Sequence, residues 1–200
     1  MRVRSRTGWR WTRTTAAALL LGALATGLTT GCAAWGNYPP IGEDGAINDP
    51  NVAPMPSVVA ESLRWVVRNY PVEGEYVVNL PGGMERKTAE RILTMLNDPN
   101  ARLVAPETRG LPVYHVAKIW LRESRATVDV FRPVRKEGLA TTPNRANYQL
   151  LSVKLLGGPL RSGWRVESAP RAWPIGAYDP PILYGWDPQP EAAPEAAPEQ

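Results

Sequence analysis

The spacing of apolar residues changes along the chain, from a helical period in its first half to an alternating period in its second. In residues 57–70, apolar side chains recur at the three- to four-residue spacing of an amphipathic helix, with Ser57 placed as an N-cap. Residues 84–97 repeat that spacing behind a Pro-Gly-Gly turn. Between them, residues 75–80 have the composition of a strand. The first half therefore predicts two helices separated by a strand.

From residue 101 onward the apolar period approaches two, which is typical of strands. The segment 113–122 is apolar on both faces, as expected of a central strand. This order predicts an α+β fold, with two helices packed on a curled antiparallel sheet of about four to six strands. Its closing half resembles NTF2-like and cystatin-like rolls in its hydrophobic pattern. The strands predicted in this half are 101–105, 113–122, 126–134, 147–156 and 164–173.

Two segments outside the predicted body have no apolar period. Residues 32–56 are rich in Pro, Gly, Asn and Asp and predict a flexible tether. Residues 188–200 repeat Pro-Glu-Ala-Ala and predict a disordered, extended tail. The globular domain is therefore predicted at 57–187. Its last part, 171–187, is rich in Pro and aromatic residues, and we call it the strap. We expect the strap to cover a sheet edge or a core opening, or else to present its aromatic side chains to a partner.

The first 31 residues differ from the rest of the chain in both charge and hydropathy. Basic residues without any acid precede an apolar run over residues 16–25, and small residues lead from there to Gly31. This is the three-part layout of a secretory signal peptide. The apolar run is short compared with the roughly 20 residues of a membrane span. We therefore predict a signal peptide at residues 1–31.

The end of this signal, Leu28-Thr29-Thr30-Gly31-Cys32, resembles the bacterial lipobox, in which a small residue precedes a lipidated cysteine. Leu28 stands one position earlier than in the usual pattern. The resemblance implies that Cys32 becomes a lipidated N-terminus that anchors the protein in the cell membrane or the outer membrane, facing the periplasm or the exterior. Cys32 is also the only cysteine, so an intramolecular disulfide is excluded.

Removing the signal peptide changes the charge of the protein. The mature chain keeps 18 of the 23 basic residues and all 19 acidic residues, and within 51–187 the bases outnumber the acids. A basic body suits anionic partners such as lipid headgroups or acidic polymers, although a solvated surface is the simpler explanation. The predicted export and the absence of a dense basic stripe argue against nucleic acid as a partner.

Candidate chemistry is sparse. His115 is the only histidine, and with Cys32 lipidated a tetrahedral zinc site is not expected, so we predict neither metal nor cofactor. His115 alternates with apolar residues, which favours a structural histidine over a catalytic base, and no Gly-x-Ser-x-Gly elbow is present. Asp129 is either a site acid or a carboxylate paired with a nearby arginine (Arg122, Arg125 or Arg132).

These observations predict a membrane-anchored envelope lipoprotein that acts as a non-enzymatic interaction or accessory module, with another envelope protein as its partner. The alternative is a small-ligand-binding or weakly enzymatic pocket of the NTF2-like type. We assign no catalytic residue. The side chains expected to contact a ligand or partner are His115, Asp129, Trp173, Tyr178, Tyr184 and Trp186.

Overall fold

The computed structural model describes residues 35–41, 48–134, 144–157 and 163–184. The predicted signal peptide, Cys32, Trp186 and the predicted tail lie outside these residues. The described elements, in chain order, are β1 (Trp35–Tyr38), α1 (Met55–Asn69), β2 (Tyr76–Asn79), α2 (Arg86–Leu96), β3 (Ala101–Leu103), β4 (Val113–Arg122), β5 (Arg125–Pro133), β6 (Tyr148–Leu156), β7 (Arg165–Val166) and β8 (Arg171–Ala172).

The strands form one mixed sheet that curls into a half-barrel. β2 lies between β3 and β4 and runs parallel to both, whereas the remaining pairs are antiparallel. The predicted α+β fold, with two helices on a curled sheet, is confirmed. The prediction of a purely antiparallel sheet is wrong at β2, because α2 crosses over the sheet and returns the chain to β3 in the same direction.

Both helices pack on one face of the sheet, which we call the helix face. The predicted apolar stripe of α1 is confirmed, since Val59, Leu63 and Val66 are fully buried. Fully burying each such side chain contributes about 1.5–3 kcal/mol, so this layer is the main source of stability. The strand residues that meet the helices include Tyr114, Val116, Ile119, Leu121, Val128, Val130, Leu151, Val153 and Leu155.

The predicted tether is wrong at residues 35–38, which form β1. This strand pairs with the second half of β4, with Trp35 opposite Arg122 and Tyr38 opposite Ile119. Asn37 is buried, and its Oδ1 accepts a hydrogen bond from Arg122 at 3.0 Å. The partner strand lies more than 80 residues along the chain. Local composition, which suggested a tether, carries no sign of such a pairing.

Two other predicted boundaries differ from the structure. α1 begins at Met55 instead of residue 57, and the Ser57 hydroxyl donates to Pro54 O at 2.7 Å instead of capping the helix. The strand predicted over 164–173 is two short strands, β7 and β8. Pro170 precedes β8 and has no backbone N–H to contribute to a continuous ladder, which explains the break.

The opposite face of the sheet, which we call the outer face, carries a second and smaller buried cluster. It is formed by Phe131, Tyr148 and Leu150, with Ala117 and Trp173 packed against it. The strap therefore contributes a side chain to the core on this face. No helix within the described ranges is long and apolar enough to cross a bilayer.

Candidate binding site formed by the C-terminal strap

The first part of the strap is fixed to β6 by backbone hydrogen bonds. β8 pairs with β6, with Ala172 opposite Leu151. Beyond β8, the Trp173 amide donates to Leu150 O and the Gly176 amide donates to Tyr148 O, both at 3.0 Å. This series of bonds gives the Pro-rich segment a defined path along the sheet.

Trp173 anchors this first part on the outer face. Its ring packs against the Phe131 cluster and makes an edge-to-face contact with Tyr178, with ring centroids 5.4 Å apart. The Arg171 guanidinium lies 3.8 Å from the centroid of the Trp173 ring, within cation–π range. The Trp173 indole Nε1 donates to Ser152 Oγ at 3.3 Å. Packing and polar contacts therefore both fix the position of this side chain.

Asp129 is linked to the strap through Ser152, whose hydroxyl donates to Asp129 Oδ1 at 2.6 Å. The expected pairing with an arginine is not observed among the described residues. Successive side chains of a strand point to opposite faces, so Arg132 lies on the helix face, with its guanidinium 4.3 Å from the Tyr70 ring centroid. Asp129 therefore belongs to a structural network with Ser152 and Trp173.

The far end of the strap is held by Asn79, which is fully buried at the end of β2. Asn79 Nδ2 donates to Ile182 O at 2.9 Å, and Asn79 Oδ1 accepts from the Tyr184 amide at 3.0 Å. One side chain thus bonds to the backbone on both sides of Leu183. A polar residue that ends an otherwise apolar strand was the only signal in the sequence for this role.

The Tyr184 ring packs against a position where no side chain fits. A Cβ added to Gly82 would lie 2.8 Å from Tyr184 Cε1. The Gly82 amide donates to Tyr38 Oη at 2.8 Å, and the Tyr38 and Tyr184 hydroxyls are 3.4 Å apart. Burial, with a smaller effect of the Tyr184 contact, raises the pKa of Tyr38 to about 12. β1 and the strap therefore meet at Gly82.

His115 lies beside Asn79 on the outer face and is fully buried. Its Nδ1 is 3.0 Å from Asn79 Nδ2. An amide nitrogen can only donate, so Nδ1 accepts and the ring proton is on Nε2. Burial lowers the pKa of His115 to about 3, which keeps the ring neutral. The ring also meets Tyr148 edge to face at 4.9 Å.

Two buried polar atoms at this site, His115 Nε2 and Tyr148 Oη, have no hydrogen-bond partner among the described residues. Such atoms are uncommon in protein interiors, because each costs about 1–3 kcal/mol. A polar ligand that reached them could supply the missing hydrogen bonds. His115 and Asp129 share no hydrogen bond and lie opposite different residues, Phe131 and Lys118. The two therefore do not form an acid–base pair.

The outer surface of the strap is mostly apolar, and within its described part the exposed charged residues are Arg171 and Asp179. Of the large hydrophobic side chains that are exposed in the described residues, most lie in this segment: Ile175 (56% exposed), Tyr178 (44%), Ile182 (69%) and Leu183 (38%). Trp173 and Tyr184 are only partly buried, and both face the sheet through the contacts above. Of the residues that were predicted to contact a partner and that the structure describes, Tyr178 is the exposed one, and Ile182 and Leu183 were not predicted.

Comparisons with models of protein families, with curated proteins and with solved structures gave no match for this chain. Within the part of the chain that the structure describes, no three His, Cys, Asp or Glu side chains come together as a metal site would require. The resemblance to NTF2-like and cystatin-like rolls stays a prediction.

Proposed function

We propose that the protein is a lipid-anchored envelope protein that acts as a non-enzymatic interaction module, with the strap as its docking surface for another envelope protein. The apolar outer surface of the strap carries this proposal. Large apolar side chains are normally buried in the protein interior. A contiguous group of exposed apolar side chains therefore marks an interaction site. Here Ile182 and Leu183 are exposed while the backbone beside them is fixed by Asn79. A fixed apolar surface binds a partner with a smaller ordering cost than a flexible segment does.

The state of His115 supports a non-enzymatic role. A general base needs a pKa near the working pH and contact with its substrate. His115 is buried under the strap, and burial lowers its pKa to about 3. Its bond with Asn79 connects the ring to the residue that fixes the strap. We therefore assign His115 a role in positioning the strap.

The proposed anchor has a direct test. Labelled palmitate should be incorporated by cells that express the full chain, and Cys32→Ser should abolish the incorporation. Equal labelling of both proteins would refute lipidation at Cys32. Cys32 is the only cysteine in the chain, so no other cysteine could take the label.

The docking surface is tested by a photo-crosslinking residue placed at Ile182, with the same residue at Lys87 as the control. Lys87 is exposed on α2, which packs on the helix face. We expect one dominant crosslinked protein from position 182 and none from position 87. The same products from both positions would indicate random collisions and would contradict the proposal.

A second candidate function rests on the unpartnered His115 Nε2 and Tyr148 Oη. A small polar ligand that enters under the strap would satisfy both atoms. Because His115 is the only histidine, its imidazole resonances in an NMR spectrum are unambiguous. A fragment that shifts them would support a ligand site. A polar fragment library that leaves them unchanged, in the wild type and with the strap released by Asn79→Ala, would eliminate it.

A further inference from the structure

A row of arginines crosses the outer face at the end of the sheet where β4 turns into β5. Arg122 pairs with Arg125, Arg125 pairs with Leu156, and Leu156 pairs with Arg165. Residues directly opposite in antiparallel strands project from the same face, so all three arginines share the outer face. Arg125 and Arg165 are exposed. We call this region, Arg122 to Arg125 with Arg165, the hairpin end.

The positive charge is concentrated at this end of the outer face. In the next row toward the strap, Thr127 pairs with Lys154. The Glu167 amide donates to Lys154 O, so the cationic Lys154 has the acidic Glu167 beside it. At the hairpin end itself, Glu123 in the turn is the one acid among the described residues, against the exposed Arg125 and Arg165. Each of the next two rows away from the turn contains an acid, so the net positive charge of a row is largest at the hairpin end.

An aromatic side chain accompanies these arginines. Trp120 is 39% exposed, and the Arg122 guanidinium lies 4.8 Å from the centroid of its ring. Tryptophan is enriched at the level of lipid headgroups, where an apolar body and a polar edge are both accommodated. Exposed arginines beside an exposed tryptophan are the combination that an anionic membrane surface attracts.

The connection to Cys32 places the same end near the bilayer, and this step rests on the lipidation proposed above. Two residues, Ala33 and Ala34, separate Cys32 from Trp35, and Trp35 pairs with Arg122. Three residue steps span at most about 11 Å. That distance is close to the Debye length of about 8–10 Å, so headgroup charge acts at Trp35 and at Arg122 beside it, and on the rest of the row when the row faces the bilayer.

We propose that the hairpin end docks on anionic lipid headgroups and holds the domain end-on to the membrane. Electrostatic attraction at this end supplements the lipid anchor and fixes the orientation of the domain, which an anchor at one residue does not determine. The strands then run away from the bilayer. His115 lies seven residues before Arg122 in β4, about 20 Å along the strand, so the far end of the strap projects away from the lipid toward a partner.

The test uses residues 32–200 with Cys32→Ser, a chain that contains every described element and no lipid. Binding is measured by co-sedimentation with vesicles of phosphatidylcholine, alone or mixed with phosphatidylglycerol, over a series of salt concentrations. We expect binding to the mixed vesicles only, weakening as salt increases. The variant Arg125→Gln/Arg165→Gln should lower the partition coefficient by about 10- to 30-fold, since each surface cation near an anionic bilayer contributes about a factor of five.

The matched control is Lys87→Gln/Arg91→Gln, which removes two exposed charges from α2 on the helix face. We expect it to change the partition coefficient by less than about twofold. Equal losses in the two variants would show that net charge alone drives binding and would overturn the proposal. Equal binding to both kinds of vesicle would overturn it as well. No lipidated cysteine is present, so either failure leaves the palmitate result at Cys32 untouched.

Discussion

Asn79 is the residue on which the position of the strap depends most. Its side chain makes three hydrogen bonds, to His115 Nδ1 (3.0 Å), Ile182 O (2.9 Å) and the Tyr184 amide (3.0 Å). Replacing Asn79 by alanine removes all three and creates no new polar group. We therefore expect Asn79→Ala to release the far end of the strap while the helix face stays packed.

The magnitude follows from these bonds. A typical intramolecular hydrogen bond contributes about 0.5–1.5 kcal/mol net, so global unfolding should become easier by about 2–4 kcal/mol. Two of the three bonds join Asn79 to the strap itself, at Ile182 and Tyr184. Their loss, about 2 kcal/mol, corresponds to a roughly 30-fold rise in the population of the open strap.

Hydrogen exchange followed by NMR measures that population at single amides. The Tyr184 amide should exchange roughly 30-fold faster in Asn79→Ala through local opening, whereas the amides of α1, which exchange on global unfolding, should remain far more protected than Tyr184. The control is Asn69→Ala, which removes an exposed asparagine that bonds to Trp65 O. Unchanged exchange at Tyr184 in the Asn79 variant, or an equal rise in the Asn69 variant, would refute the role given to Asn79.

Three further predictions concern the same face. Because burial lowers the pKa of His115 from 6.5 to about 3, its contribution to stability is complete above pH 6.5 and is lost as the pH falls toward 3, by up to about 1.4 kcal/mol per pH unit. Urea unfolding at several pH values should show a steeper acid loss for the wild type than for His115→Gln, and parallel curves would contradict this. Gly82→Ala should displace the Tyr184 ring and speed exchange of the strap amides, because its Cβ would lie 2.8 Å from Tyr184 Cε1. In a Tyr184→Ala background the same change should have no effect, and a persisting effect would point to the Gly82 backbone instead. Trp173→Ala should cost about 2–3 kcal/mol in denaturant unfolding, less than for a fully buried tryptophan because the ring is only partly buried. Trp173→Phe, which loses mainly the bond to Ser152, should cost less than half as much, and equal costs would assign the effect to that bond.

Elements with a strong local pattern could be predicted from the sequence. β4 spans the residues predicted for it, 113–122, because apolar side chains on both of its faces leave a central strand as the simplest solution. α2 falls within the predicted range 84–97 for a similar reason, because its apolar residues form a single stripe that only a helix presents on one side. β1 could not be predicted, since its four residues are stabilised by pairing with a strand that follows much later in the chain.

Some residues of the candidate site could likewise be predicted from the sequence, and others could not. Aromatic residues among prolines identified the strap, and Trp173 and Tyr184 do contact the sheet. Asn79 was missed, because its partners lie 36, 103 and 105 residues away and a polar residue at the end of an apolar strand does not identify them. Ser152 was not singled out as a partner of Asp129, since a hydrogen bond across β5 and β6 depends on the register of the two strands.

The central claim is that the strap binds a partner as a surface held in place on the sheet. The most direct measurement is photo-crosslinking from Ile182 in cells, compared between the otherwise unchanged protein and Asn79→Ala. If the claim is right, releasing the strap lowers the yield of the crosslinked partner severalfold, while the crosslinked species stays the same. An unchanged yield would contradict it, because the segment would then bind as a flexible peptide that does not need the fold beneath it.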